Sequence, residues 1–193
     1  MILSLGLSVS CGKATQAVTD KVAEKAVEKA VEQGIAENGG NAKVDIDKNT
    51  GAVNLKGTNK DGSSFEMKSD GKDGVSMSQT SADGTEQFQY GEGAKIPDSF
   101  PKDVPLVDGM VVNAATSDTA DQEYTVRGST TKAPAEIVSY YKEKAPAQGW
   151  KELSVMDMGE LQTLNYEKES DNEKRNLSVM VSTDSGKTIL SIS

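Results

Sequence analysis

The chain has 193 residues, a formal net charge of −9 and 35% hydrophobic residues, a low fraction for one compact globule. Nucleic acids bind basic surfaces, so the acidic charge leads us to expect no nucleic-acid partner. The sequence contains no histidine, which excludes Ser-His and Cys-His nucleophile pairs and histidine-ligated metals. We therefore expect no catalysis, no metal and no cofactor.

An apolar run occupies residues 1–10 and ends at Cys11, the only cysteine. The run is too short to span a bilayer, which requires about 20 apolar residues, but it matches the apolar region of a secretory signal peptide. Because no Lys or Arg precedes Cys11, we expect this signal peptide to be truncated. The alternative is an apolar N-terminal strand or helix with a buried cysteine.

The same run resembles the export signal of bacterial lipoproteins, with Ser10 as the small residue before Cys11 and Gly12 after it. The resemblance implies that residues 1–10 are removed and that Cys11 becomes a lipidated first residue. The acyl chains, palmitate among them, would then hold the protein on a membrane. Since Gly12 replaces the Asp that retains some lipoproteins at the inner membrane, we expect the periplasmic face of the outer membrane in a Gram-negative host.

Residues 11–40 are interpreted as the lipidated cysteine followed by an amphipathic helix over residues 13–38. Two apolar ridges with a spacing of four residues predict one broad apolar face. Their members are Val18, Val22, Ala26 and Ala30, and Ala23, Val27, Val31 and Ile35. The helix is either a solvated spacer or a cover for the next segment, and we predict that it covers that segment.

Residues 41–93 alternate apolar and polar side chains between turns that contain glycine, which predicts a five-stranded antiparallel β-meander. The apolar pairs are Val44/Ile46, Val53/Leu55, Phe65/Met67, Val75/Met77 and Phe88/Tyr90. Such a sheet has one apolar face, which requires a cover.

Residues 94–105 contain three prolines at a spacing of four, which predicts an extended strap whose Ile96, Phe100 and Val104 dock onto a domain.

Residues 106–193 predict an antiparallel sheet with one helix that begins at Pro134 and cannot continue through Pro146. The fold class is therefore α+β. The predicted strands are Met110–Ala115, Glu123–Ser129, Lys151–Met158, Gln162–Lys168, Asn176–Ser182 and Thr188–Ile192.

The C-terminal half resembles a module found in uncharacterised bacterial lipoproteins. The resemblance rests on the FPKDVP segment at residues 100–105, the YYK segment at 140–142 and the Gly149-Trp150 turn. These motifs are interpreted as structural, and the resemblance implies no catalytic residues.

Three further patterns are candidate sites. Residues 45–51 imitate the start of a calcium loop, but Thr50 stands where glycine is needed and Lys56 where a bidentate Glu is needed. The acidic run from Glu167 to Glu173 is interpreted as a solvated loop. Tyr140 and Trp150 are candidates for a partner surface, although a tryptophan after a glycine turn is more often a core residue.

The sequence therefore predicts a membrane-anchored cell-envelope lipoprotein that acts as a non-catalytic binding or scaffolding module for an envelope protein. The alternative function is a carrier of an apolar ligand, lipid or peptide, on the apolar face of the meander; an enzyme is a distant third. The two main hypotheses differ in whether the apolar side chains of the meander are buried against Val22, Val27 and Val31 of the helix.

Overall fold

The structure, a computed structural model, describes residues 12–72, 74–170 and 173–193, with side chains from residue 25 onward except Ser170. The two helices are α1 (Gly12–Glu37) and α2 (Pro134–Ala147). The strands in the first half are β1 (Asn41–Asp47), β2 (Ala52–Thr58), β3 (Ser64–Ser69), β4 (Val75–Thr80) and β5 (Glu86–Tyr90). Those in the second half are β6 (Val111–Asp118), β7 (Glu123–Thr130), β8 (Lys151–Asp157), β9 (Leu161–Ser170), β10 (Glu173–Asp184) and β11 (Lys187–Ile192).

All eleven strands form one antiparallel sheet in the order β1-β2-β3-β4-β5-β6-β7-β11-β10-β9-β8. The predicted meander, the starting helix and the single packed helix are confirmed, but the α+β class must be corrected to a mostly β fold. The reason is the pairing of β5 with β6, which joins the meander and the C-terminal strands into one sheet. Strands β1 and β8 are the two edges.

The five meander strands are held in register so that their apolar side chains share one face, named here the meander face. Its central row crosses all five strands. The three rows are Val44, Leu55, Met67, Met77 and Tyr90; Ala42, Gly57, Phe65, Gln79 and Phe88; and Ile46, Val53, Ser69 and Val75. Gly57 is required in the second row because a Cβ there would clash with the backbone carbonyl oxygen of Asn41 and lie 2.9 Å from Cα of Ala42.

Four aspartates close the hairpin turns of the meander. Each carboxylate accepts a hydrogen bond from the backbone N–H two residues later, an arrangement that mimics a backbone turn. The acceptors and donors are Asp47 and Asn49 at 2.8 Å, Asp61 and Ser63 at 2.9 Å, Asp70 and Lys72 at 2.8 Å, and Asp83 and Thr85 at 3.1 Å. Hydrogen bonds from the Ser81 hydroxyl and from Thr85 lower the pKa of Asp83 to about 2.

Helix α1 packs along the free edge of β1, and the prediction that it covers the meander face is wrong for the described side chains. Glu32 accepts from the N–H of Val44 and Glu28 accepts from the N–H of Ile46, both at 2.9 Å. Four helical residues rise about 6 Å and two strand residues rise about 6.7 Å, so glutamates one turn apart match alternate N–H groups of the edge. Val27 and Val31 remain 52% and 40% exposed.

Helix α2 packs across β8, β9 and β10 and closes the main hydrophobic core. Its first residue is Pro134, as predicted, and Glu136 accepts a hydrogen bond from the N–H of Ala133 at 2.8 Å. The prediction that Pro146 ends the helix is wrong, because the helix includes this proline and ends at Ala147. Because Pro146 lies next to the last residue of the helix, its missing N–H removes only one hydrogen bond of the helical ladder.

The buried face of the sheet changes sides between the two halves. In the C-terminal half the side chains beneath α2 form one buried row across the strands: Ala115, Val126, Ile192, Val179 and Leu164. Ala115 pairs with Gln89 of β5, so this row continues into the polar side of the meander. The meander face and the α2 core therefore lie on opposite sides of one sheet.

Candidate functional site

The strap between the two halves is fixed to the C-terminal half through Asp103. The Asp103 carboxylate accepts two hydrogen bonds from the Arg175 guanidinium, both at 2.9 Å, and one from Lys168 Nζ at 2.7 Å. Lys168 also donates to the carbonyl of Gln148 at 2.8 Å, which connects β9 to the end of α2. One carboxylate thus ties the strap to strands β9 and β10.

The two aromatic candidates from the sequence both attach to this strap. Trp150 is only 2% exposed, and its indole Nε1 donates to the backbone carbonyl of Asp103 at 2.8 Å. The half-buried Tyr140 donates its hydroxyl proton to the carbonyl of Leu106 at 2.6 Å. Both side chains hold the strap, and a partner surface at Tyr140 and Trp150 stays a prediction.

The charges around Trp150 are two cations and one carboxylate, all partly shielded from water. Arg175 Cζ lies 5.1 Å and Lys168 Nζ 5.9 Å from the centroid of the indole ring, within the range of cation–π attraction. The hydrogen bonds from Arg175 are the largest cause of the lowered pKa of Asp103; burial opposes them, the hydrogen bond from Lys168 adds to them, and the pKa falls to about 2. Asp103 therefore stays ionised and keeps both cations in place at neutral pH.

A cleft of about 1230 Å³ opens beside this cluster. One wall is the strap, the second is the β6–β7 turn with the start of β7, and the third is the start of β10. On the strap side Phe100 packs edge-on against Tyr124, with ring centroids 6.1 Å apart. The charged side chains on the lining carry both signs: Lys102, Lys174, Arg175, Asp103, Asp121, Glu123 and Glu173.

The meander face is a second candidate surface. Met77 and Tyr90 are 40% and 52% exposed, and the side chains of Val53, Leu55, Phe65 and Met67 are half-buried. Phe88 and Tyr90 stack with centroids 6.5 Å apart and an interplanar angle of 5°. Because the described part of α1 contacts β1, these apolar side chains have no covering layer from it.

Cys11 lies outside the described residues, as do the side chains of Val18, Val22 and Ala23. In the described part of the chain no three acidic side chains converge into a metal site. The docking of Ile96, Phe100 and Val104 is confirmed, since all three pack in or against the main core.

Sequence reasoning missed the role of Asp103 and Arg175. The signal was present: Asp103 is the only acidic residue in the FPKDVP segment, and Arg175 is one of two arginines in a chain that otherwise uses lysine. Arginine is favoured where a carboxylate must be held by two parallel hydrogen bonds. Nothing in the local sequence specifies that these two residues, 72 positions apart, meet.

Comparison with known proteins identifies one similarity. The START domain-like family model matches residues 110–187, which run from the start of β6 to the start of β11 and include α2. No curated protein and no solved structure shows significant similarity to the chain. Neither helix, over the residues that the structure describes, is long and apolar enough to cross a membrane.

Proposed function

We propose that the protein is a non-catalytic binding module, held on a cell-envelope membrane by lipid on Cys11, whose C-terminal half binds a segment of an envelope protein in the cleft beside Asp103. The observation that carries this proposal is the cleft itself, which lies largely within the part similar to the START domain-like family. That similarity supports a ligand-binding role for residues 110–187.

The cleft suits a polypeptide better than a small compact ligand. It is bounded by a strap, a turn and a strand end and is open to solvent, so it does not enclose a ligand on all sides. Its lining mixes aromatic surface from Tyr124 with charges of both signs, which matches the mixed chemistry of a peptide. The Asp103 cluster keeps the strap wall in position without using Lys102 on the rim, while the second rim cation, Lys174, forms an ion pair with Glu167 at 2.7 Å.

The test places a photo-crosslinking amino acid at Lys102, on the rim of the cleft, in the full chain expressed in a bacterial host. The matched control carries the same amino acid at Lys187, an exposed lysine at the start of β11. We expect a discrete protein adduct from position 102 that is weakened by Tyr124→Ser and is absent from position 187. Equal adducts at both positions, or no adduct at 102, would contradict binding in the cleft.

Anchoring is tested separately with the Cys11→Ser variant. We expect the wild type in the membrane fraction, with an intact mass that includes acyl chains on an N-terminal Cys11, and the variant in the soluble fraction. Recovery of both forms in the soluble fraction with Met1 retained would refute the anchor while leaving the cleft proposal open.

The meander face favours a second candidate function, a carrier of an apolar ligand such as a lipid. The supporting observation is the exposure of Met77 and Tyr90 on a face that the described part of α1 leaves uncovered. A fluorescent apolar probe, anilinonaphthalene sulfonate, distinguishes the two sites. Loss of its signal in Met77→Asp but not in Tyr124→Ser would favour the carrier.

A further inference from the structure

The meander face is a one-sided apolar surface that, apart from the buried Val44 on the strand beside α1, no element covers in the described part of the chain. A sheet that is apolar on one face is stable only when that face packs against another layer. We propose that a second copy of this chain supplies the layer, so that two meander faces pack against each other as a β-sandwich with twofold symmetry.

The chemistry of the face fits a copy of itself. None of the fourteen positions in its three rows carries a charge, although the chain as a whole has a net charge of −9. Two copies can therefore meet on this face without bringing like charges into the contact. The charged side chains of the same strands, such as Lys56, Glu66 and Lys68, lie on the opposite side of the sheet.

The shape of the face favours another sheet over a small ligand. Pockets for small ligands are concave and enclose most of the ligand surface, whereas this face is a single sheet layer. Two such layers pack about 10 Å apart with interdigitating side chains, in the aligned arrangement of ordinary β-sandwiches. Met67 and Met77 suit such a contact because the methionine side chain adapts to irregular neighbours.

The area is sufficient for a specific dimer of moderate affinity. Five strands at a spacing of about 4.8 Å and three rows about 6.7 Å apart give a footprint of roughly 500 Å² on each copy. The two copies together would bury roughly 1,000 Å², which is at the lower limit for specific interfaces. We therefore expect a monomer–dimer equilibrium in the micromolar range.

Symmetry identifies the residue at the centre of the contact. Met67 lies in the middle strand and in the middle row of the meander face. A twofold axis that passes through the centre of the contact, in the plane between the layers, brings Met67 opposite the Met67 of the second copy whichever way the axis runs. The neighbouring Glu66 points to the opposite side of the sheet and is therefore far from the Glu66 of the second copy.

The first experiment is sedimentation equilibrium of the full chain in a Cys11→Ser background, which removes lipidation and adventitious disulfides. We expect a mass that rises from 20.4 kDa toward twice that value with concentration. Met77→Asp should raise the dimer dissociation constant about ten-fold or more, because the contact would bury an unpaired charge. The matched control is Ser78→Asp, one residue away on the opposite side, which should leave the dimer unchanged.

The second experiment uses the same background with Met67→Cys or Glu66→Cys and a short bis-maleimide crosslinker. We expect a covalent dimer from position 67 and not from position 66. A chain that is monomeric at all concentrations, equal effects of the two aspartate substitutions, or equal crosslinking at the two cysteines would overturn the proposal. Binding of the fluorescent apolar probe to a monomeric chain, abolished by Met77→Asp, would also overturn it in favour of an apolar ligand.

Discussion

The two halves of the sheet are built from the same antiparallel pairing but are stabilised in different ways. In the C-terminal half, ten large side chains of α2 and of the strands beneath it are less than 2% exposed, so burial of apolar surface dominates the stability of that half. In the meander only Val44 among the apolar side chains is fully buried, and turn aspartates and edge glutamates satisfy the polar backbone instead. A continuous sheet therefore need not have a continuous core.

The largest expected effect comes from removing matched leucines in the two halves. Leu164→Ala leaves a cavity in a fully buried site beneath α2 and should lower the free energy of unfolding by about 3 kcal/mol. Leu55→Ala acts on a half-exposed site in the meander and should cost about 1 kcal/mol in dilute solution. Urea denaturation of both variants measures the difference, and equal losses would contradict the contrast between the halves.

The next effect concerns the link between the halves. Asp103→Asn should lower the free energy of unfolding by about 2 kcal/mol at pH 7, because the folded state holds the pKa near 2 and the unfolded chain near 4. A lowered pKa stabilises the folded state above the unfolded pKa, and this contribution is lost as the pH falls toward 2. The stability difference between wild type and variant should therefore shrink between about pH 4 and pH 2; a constant difference would contradict the ionic origin.

A smaller and local effect is expected at the β1 edge. Glu32→Ala removes the acceptor of the Val44 N–H, and a hydrogen bond to a carboxylate at a partly exposed site contributes about 1 kcal/mol. Hydrogen exchange at the Val44 amide should accelerate about five-fold, while the Val179 amide in the core should be unaffected. Lys29→Ala, at an exposed position of the same helix, is the control and should leave the Val44 amide unchanged.

The smallest effect is expected from one of two adjacent tyrosines. The buried hydroxyl of Tyr141 has no hydrogen-bond partner, and burial raises its pKa, whereas the hydroxyl of Tyr140 donates to Leu106. Tyr141→Phe should therefore change the free energy of unfolding by about zero or raise it slightly, and Tyr140→Phe should lower it by about 1 kcal/mol. Thermal denaturation compares the pair, and a larger loss at Tyr141 would reveal a partner for its hydroxyl.

The strands were predictable from the sequence because alternation and Asp-Gly turns are local signals. Helix α1 was also predictable as an element, but its docking was not. Its apolar ridges predict burial of Val27 and Val31, whereas Glu28 and Glu32 make the contact with β1. A free strand edge presents N–H and C=O groups, so it pairs with polar side chains rather than apolar ones, and no pattern within the helix reveals which kind of surface the helix will meet.

The candidate cleft was less predictable still. The strap was expected to dock, and the segments at Tyr140 and Trp150 were expected to be structural. The sequence does not predict that Asp103 of the strap binds Arg175, since this contact depends on the pairing of β10 with β9. The fusion of the two halves also depends on a pairing between β5 and β6 that spans the proline-rich strap.

The glutamates of α1 limit how many further molecules can add to the sheet by pairing with its edge strands. Strand addition in series requires two open edges on each molecule, one to receive and one to extend. Glu28 and Glu32 occupy alternate N–H groups of β1, whereas all seven residues of β8 are exposed at the far edge. Only the β8 edge is therefore open along its whole length, and growth of the sheet by edge pairing would stop at two molecules.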